Sequence, residues 1–363
     1  KNFMHKRKNV LVFPCGSEIG IEIFNSLKWS THIEIFGASS LHSNHGRFLY
    51  KNYIENIPFI GDKLFIEKLN EVINKNKIDF LYPANDDVIL YLSENREKIA
   101  CKLILPNKET CRLTRSKKQT YKYFRDIIRV PQTIIKLKMK KSEFPLFVKP
   151  DIGQGAKGAT IVNNKEELDF LIEKNPNLVI MEYLPGKEYT IDCFTDKNGS
   201  LLFSQGRERI RTMNGISVNA KPIENSEFHK IAKIINNHIN MRGAWFFQLK
   251  RNKNNKLTLL EIAPRVAGCM SLCRNMGVNL PMLSVFDFSG VEVCVNNKNH
   301  FTIEEDRALF NRFQTNLKYS IVYIDLDDTM ILWDKINPSV IHFIYQSINK
   351  KCKIILITKH SEN

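Results

Sequence analysis

The sequence predicts a multidomain chain of α/β followed by α+β character, and three observations carry that reading. Short apolar strands alternate with helical patterns near the N-terminus, strands gather around a glycine loop and a carboxylate-bearing hairpin in the middle, and a βαβ pattern returns at the end. Length agrees, because 363 residues exceed the roughly 100–200 that one core usually serves.

The first segment, residues 1–112, opens with an apolar run at 9–13 (NVLVF) that stops at Pro14, Gly16 and Gly20, after which 19–27 has helical spacing. Residues 32–36 (HIEIF) alternate like a strand, 65–74 read as a helix and 79–82 (DFLY) as a third strand. This βαβ rhythm predicts a parallel, helix-flanked sheet whose ligands collect at the carboxyl ends of the strands, where residues 15–20 and 83–87 (PANDD) would lie. The glycines of GSEIG do not form GxGxxG, so a tight strand-to-helix turn is preferred there over a dinucleotide site.

The second segment, residues 113–300, changes style. Residues 145–150 (PLFVKP) read as a strand carrying Lys149, 151–160 (DIGQGAKGAT) as a glycine loop, and 189–194 (YTIDCF) as an alternating strand. Residues 244–250 and 256–262 then pair across a turn at 252–255. Backbone N–H groups of the loop can wrap phosphate oxygens, with Lys149 and Lys157 as added point charges, although the spacing is not that of a P-loop and a plain hairpin turn is the alternative. The hairpin would set the Gln248 amide beside the Glu261 carboxylate, a pair of oxygens suited to Mg²⁺ (or Mn²⁺) shared with nucleotide phosphates. Arg265 would then meet a transferring phosphoryl group, against the plainer alternative of a surface strand ending in a Pro turn.

The third segment, residues 319–363, has a strand at 321–324, then DLDDT, a helix at 339–349 and a second strand at 353–357 (KIILI) ending at Thr358. It is too short for an independent α/β domain.

Composition narrows the partners. Lys and Arg total 54 against 38 Asp and Glu, a formal +16, with 43% hydrophobic residues. The base is spread through the chain, and its densest run, 136–141, is broken by Leu137 and Met139, so anionic small molecules are favoured over nucleic acid. Eight cysteines without a CxxC pair read as buried reduced thiols, with Cys269 and Cys273 spaced to share a helical face. The N-terminus lacks an apolar signal region and no stretch reaches 18 apolar residues, so the expectation is a cytoplasmic protein with no membrane partner.

Taken in order, FVKP, the glycine loop, MEYLPGKEYTIDC, GRERIR, FFQLK and LLEIAPR resemble the ATP-grasp superfamily over residues 113 to about 290, nearest in style to the carbamoyl-phosphate synthetase large subunit and biotin carboxylase. The resemblance implies a Rossmann-like preATP-grasp domain at 1–112 and a two-lobed ATP-grasp domain at 113–300. It implies that Lys117 and Lys149 bind nucleotide phosphates, that Gly153, Gly155 and Gly158 belong to the closing loop, and that Glu182, Tyr183 and Leu184 form the adenine hinge. Glu188 would bind the ribose, Gln248 and Glu261 the metal, and Arg207, Arg209 and Arg265 the acyl phosphate and substrate. One departure is Ala263, where the family usually has Asn; the carboxyaminoimidazole ribonucleotide synthetases also carry Ala there.

The implied activity is ATP-dependent joining of a small-molecule carboxylate to an amine, with ADP and phosphate released. Carboxy or carbamoyl phosphate synthesis from bicarbonate and a lapsed nucleotide-binding regulatory module remain the alternatives, and a homodimer is compatible with all three. The third segment resembles the start of a haloacid-dehalogenase-type phosphatase, a partial α/β unit in which Asp325 would be the nucleophile, Asp327 the acid/base, and Thr329 and Thr358 its motif threonines. The lysine and acidic pair of that family are not among these residues, so the unit is expected to be inactive as it stands and to belong to a longer protein.

Overall fold

The computed structural model describes residues 7–134, 144–153, 155–296, 299, 301–308 and 318–358; the basic run at 136–141 lies outside them. The described chain falls into two compact units, Lys1–Leu309 and Phe310–Asn363.

The first unit begins with strands and helices in alternation: β1 (Lys8–Phe13), α1 (Glu18–Leu27), β2 (Ile33–Ala38), β3 (Asn52–Ile54), α2 (Phe65–Lys75), β4 (Phe80–Pro83), α3 (Asp86–Glu94) and β5 (Lys102–Leu103). The strands form a parallel sheet in the order β3-β2-β1-β4-β5. Both faces of β1 are covered: Val10 and Val12 enter one core cluster, Leu11 and Phe13 another. That double burial is why β1 is a continuous apolar run rather than an alternating one. Ser17 caps α1 by accepting from the Gly20 N–H at 3.0 Å, and Asn85 caps α3 through Oδ1.

Helices α4 (Lys108–Arg115) and α5 (Lys117–Phe124) follow, each started by a side-chain cap, Asn107 and Ser116. A small antiparallel sheet in the order β7-β6-β8 comes next, from β6 (Leu146–Pro150), β7 (Thr160–Val162) and β8 (Leu178–Glu182), with α6 (Lys165–Lys174) between the last two. Strand alternation sorts β6 cleanly: Leu146 and Val148 join one core cluster with Leu168, while Phe147 and Lys149 face the other way.

The largest sheet is antiparallel, in the order β13-β12-β9-β10-β11-β14. Its strands are β9 (Glu188–Thr195), β10 (Leu201–Met213), β11 (Ile216–Ile223), β12 (Gly243–Arg251), β13 (Leu257–Ala263) and β14 (Glu305–Asp306). Helix α7 (Ser226–His238) packs on one face, where Tyr189, Ile191 and Cys193 meet Trp245 and Phe247 in a closed core. Each such large apolar side chain contributes about 1.5–3 kcal/mol by leaving water. Phe194 and Phe246 face the other way and share a core with Val10, Tyr82 and residues of α9 (Leu280–Phe288), which follows α8 (Ser271–Asn275). Cys269 precedes α8, so it does not share a helical face with Cys273; their thiols meet Ser217 O and Asp192 instead. All eight cysteines are free.

The second unit holds a parallel pair, β15 (Ile321–Asp325) and β18 (Lys353–Ile357), a short antiparallel pair, β16 (Ile331–Leu332) and β17 (Lys335–Ile336), and α10 (Pro338–Asn349). Asp325 ends β15 opposite Ile357, which places it beside Thr358 at the carboxyl edge. No helix among the described residues is long and apolar enough to cross a membrane.

Candidate active site

Strand register builds the centre of the site. Glu261 pairs with Gln248, Gln248 with Thr190, and Thr190 with Arg207, so four polar side chains from β13, β12, β9 and β10 stand in one row across the large sheet. Directly paired residues project to the same face. This face turns away from the α7 core and forms a wall shared by two cavities.

The first cavity, about 270 Å³, lies between the small sheet and the large one. Phe147, Met181, Leu184 and Leu260 make its apolar part, and Lys117, Lys149, Lys157 and Glu188 its charged part. Lys149 is 9% exposed; its ammonium donates to Leu260 O at 3.3 Å and lies 5.4 Å from the centre of the Tyr121 ring. Burial pushes its pKa down to about 8, against the pull of Glu261 and Glu188. Lys117 starts α5 and donates to Asp151 O and Gly153 O, both at 3.2 Å, tying the helix to the start of the glycine loop. Burial also lowers its pKa, with Glu261 opposing.

Gly153, Gly155 and exposed Lys157 line this cavity, whereas Gly158 packs on Pro150. The tip of the loop rests on the β10–β11 turn: a Cβ built on Gly215 would come within 2.5 Å of Ala156 N. Of the hinge, Tyr183 and Leu184 line the cavity; Glu182 is tied to Gln132, whose N–H it accepts at 2.9 Å. Glu188 forms ion pairs with Arg209 and, at 3.6 Å, with Lys250. Arg209 also donates to Gly215 O at 2.5 Å.

The second cavity, about 300 Å³, lies across the wall and reaches the N-terminus of α1. Four arginines line it, each matched to an acid. Arg265 grips Asp86 through two bonds, Arg207 donates to Asp192 at 2.8 Å, and Arg307 donates to Glu18 at 2.8 Å, besides the Arg209–Glu188 pair. Thr190 Oγ1 is buried there with no hydrogen-bond partner among the described residues. Burial disfavours ionised Asp86, but the Arg265 charge and hydrogen bonds, with Arg115 and Lys117 farther off, hold its carboxyl below the usual range.

Gln248 and Glu261 fit a hard divalent cation. Both are oxygen donors, they face each other in register, and neither side chain is hydrogen-bonded to another described residue. Two protein oxygens suit Mg²⁺, which keeps waters and takes phosphate oxygens for the rest of its shell. Ala263 faces Phe246 on the same strand pair and supplies no third oxygen.

Asp86, Glu18, Arg307 and Thr190 were not assigned as partners from sequence, because each acquires its setting only when distant segments meet. Thr212, Lys250 and Gly215 also line the first cavity. For Lys250, its place two residues after Gln248 on the same strand face was a usable signal.

Residues 174–307 match the family model described as ATP-grasp in the biosynthetic pathway with Ter operon. That stretch is similar to an ATP-grasp module. Among curated relatives, the 3-methyl-D-ornithine–L-lysine ligase of Methanosarcina acetivorans is 34% identical over 151 residues, 41% of this chain and 38% of that one. The D-alanine–D-alanine ligase of Petrotoga mobilis is 32% identical over 178 residues, 43% of this chain and 59% of its own length. This chain thus spans less than two thirds of either relative. A likeness of fold reaches beyond the matched residues. A crystal structure of a biotin carboxylase–β,γ-ATP complex from Campylobacter jejuni superposes on 81% of this chain and 73% of that one, with a TM-score of 0.66 at 14% identity.

Proposed function

We propose that the first unit is an ATP-dependent ligase that activates a carboxylate as an acyl phosphate and joins it to an amine. The observation that carries this reading is the shared wall: Gln248, Glu261, Arg209 and Gly155 line both the phosphate-suited cavity and the one beyond it. A reaction between two bound molecules needs such a boundary, because the γ-phosphorus must come within reach of the acceptor oxygen.

A carboxylate resists amines because oxide would have to leave. Its oxygen attacks the γ-phosphorus of ATP, the bond to the β-phosphate oxygen breaks, and ADP departs. The amine then adds to the acyl carbon, the bond to phosphate breaks, and the nitrogen loses a proton. Lys117, Lys149 and Lys157 offset the triphosphate charge, and Glu188 is placed to exchange its arginine partner for ribose hydroxyls. Arg265, anchored by Asp86, holds a fixed positive charge at the wall, where the acyl phosphate forms. The loop tip at 155–157 excludes water that would hydrolyse this intermediate. When bound at Gln248 and Glu261, Mg²⁺ supplies charge neutralisation at the phosphates.

The test is ADP release with pooled carboxylates and amines, using Glu261→Gln as the blank. Release that depends on both pools and disappears in the variant supports ligation. Equal release from parent and blank sinks it, and leaves a nucleotide-binding module.

For the second unit we read Asp325 as the phosphoryl-accepting carboxylate of a phosphatase core that does not turn over as it stands, a reading supported by its place beside Thr358 at the carboxyl edge of β15 and β18. ¹⁹F NMR with beryllofluoride and Mg²⁺ tests it; a bound signal missing in Asp325→Asn is expected, and one that survives overturns the reading.

A further inference from the structure

Beyond the second cavity lies a third, about 430 Å³, and the two share Ser17 and Asn85. It sits where the parallel sheet changes direction. Phe13 and Pro14 follow from β1, Ser39 and Ser40 follow β2, and Asn85 and Val88 follow β4. In an open parallel sheet this switch point, outside the carboxyl ends, is the natural crevice for a ligand.

Its chemistry differs from its neighbour's. The second cavity is walled by paired arginines and acids, while the third is walled largely by Phe13, Leu41, Phe59, Ile60 and Val88. Leu41 and Phe59 stand 53% and 63% exposed on its rim. One such side chain is ordinary, but two on the mouth of one apolar cavity make a patch that a ligand would cover.

The passage between the cavities is a polar collar of fixed orientation. Ser17 Oγ is committed on both counts, donating to Ala84 O at 2.9 Å and accepting from Gly20 N. Asn85 Oδ1 accepts from Asp87 N and Val88 N, so the cap fixes the carboxamide. Its Nδ2 has no hydrogen-bond partner among the described residues, leaving two N–H donors at the collar for a bound molecule.

We propose that the substrate occupying the second cavity is amphipathic, with its reacting polar end at the Glu261 wall and an apolar arm, the size of a phenyl or branched alkyl group, seated in the third cavity. This rests on the ligase reading for what happens at the polar end, but the arm is a statement about binding. Asn85 marks the junction, donating to a polar atom where head meets arm. Specificity then lies in the first segment, in residues that touch neither nucleotide nor metal.

The experiment is saturation-transfer NMR on the full chain with 3-phenylpropylamine and 3-phenylpropionate as probes, and propylamine and propionate as arm-less controls. We expect ring protons of at least one aromatic probe to be saturated in the parent, with the controls at least about tenfold weaker, as loss of 1.4 kcal/mol would give. Leu41→Ser/Phe59→Ser should abolish the difference, and Phe59→Leu should keep most of it. Both positions are exposed, so the variants fold, and an unchanged thermal midpoint verifies this. Unsaturated rings in the parent, or equal saturation in the double variant, overturn the arm. If the rings bind but no acid and amine pair gives ADP release, the ligase reading fails and the arm stands; if short substrates turn over while no ring binds, the reverse holds.

Discussion

Asp86 and Arg265 lie 179 positions apart in sequence and meet in a two-pronged ion pair, Nε to Oδ1 at 2.5 Å and one terminal nitrogen to Oδ2 at 2.9 Å. Each side chain is only 14% exposed. The pair pins the end of β13 to the start of α3, so the arginine proposed to steady the intermediate owes its orientation to the first segment.

Asp86→Asn therefore leaves a largely buried guanidinium without its counter-charge. The expected cost is about 3–5 kcal/mol in urea unfolding at pH 7. The sign with pH also follows. Because the folded-state pKa of Asp86 is held below its unfolded value of about 3.9, its contribution is full above that value and is lost as pH falls through the folded one. The variant should show a shallower acid limb, and an unchanged limb would mean the pair is not stabilising.

Lys149 should trade stability for binding. A pKa of about 8 in the folded chain, against about 10.4 unfolded, means that burial penalises the charged form. Lys149→Met is expected to raise the thermal midpoint by a few degrees while nucleotide affinity falls at least about tenfold. In the parent, binding a polyphosphate restores the proton, so calorimetry in buffers of different ionisation enthalpy should show proton uptake near pH 8 to 9, absent from the variant.

Gly215 has φ of +75°, and any Cβ there would strike the glycine-loop tip. Gly215→Ala adds left-handed strain of about 1–2 kcal/mol at the same point, which lifting the loop relieves. Nucleotide affinity should drop about tenfold, and trypsin should cut after Lys157 faster than in the parent. Cleavage at the parent rate would show that the contact does not hold the loop down.

The Asp192–Arg207 pair is the most deeply buried of those on the wall, at 0% and 5% side-chain exposure. Asp192→Asn alone should cost about 3–5 kcal/mol, and Asp192→Leu/Arg207→Met much less, since a buried pair removed whole leaves no stranded charge. If the double replacement is as damaging as the single one, packing rather than charge is what the pair supplies.

Much of this was legible in the sequence, for identifiable reasons. The strands at 9–13 and 79–82 were readable because both-face burial writes them as apolar runs, the one at 32–36 by its alternation, and the Gln248–Glu261 hairpin because two largely apolar runs flank an Asn-rich turn. The β10–β11 hairpin was visible only as the GRERIR motif. Its outer half, IRTM, is exposed, and no apolar face announces a strand. Helices α3 to α5 are only eight or nine residues long, and α4 and α5 are poor in apolar runs; side-chain caps at Asn85, Asn107 and Ser116 start them, and Tyr121 ties α5 to β13 through Leu260 O. Most of the cationic residues around the cavities, and Glu188 among the acids, could be picked out singly, but Arg307 and the partners Glu18, Asp86 and Asp192 could not, since those pairs meet across 15 to 289 residues.

The common wall has a thermodynamic consequence. A nucleotide on one side brings negative charge to within one layer of side chains of whatever sits on the other, and the same oxygens and guanidinium groups answer to both. Occupancy of the two chambers is therefore linked. Whatever factor ADP applies to acceptor affinity, the acceptor must apply to ADP, so a weak and unidentified acceptor can be recognised by how far it moves a nucleotide titration.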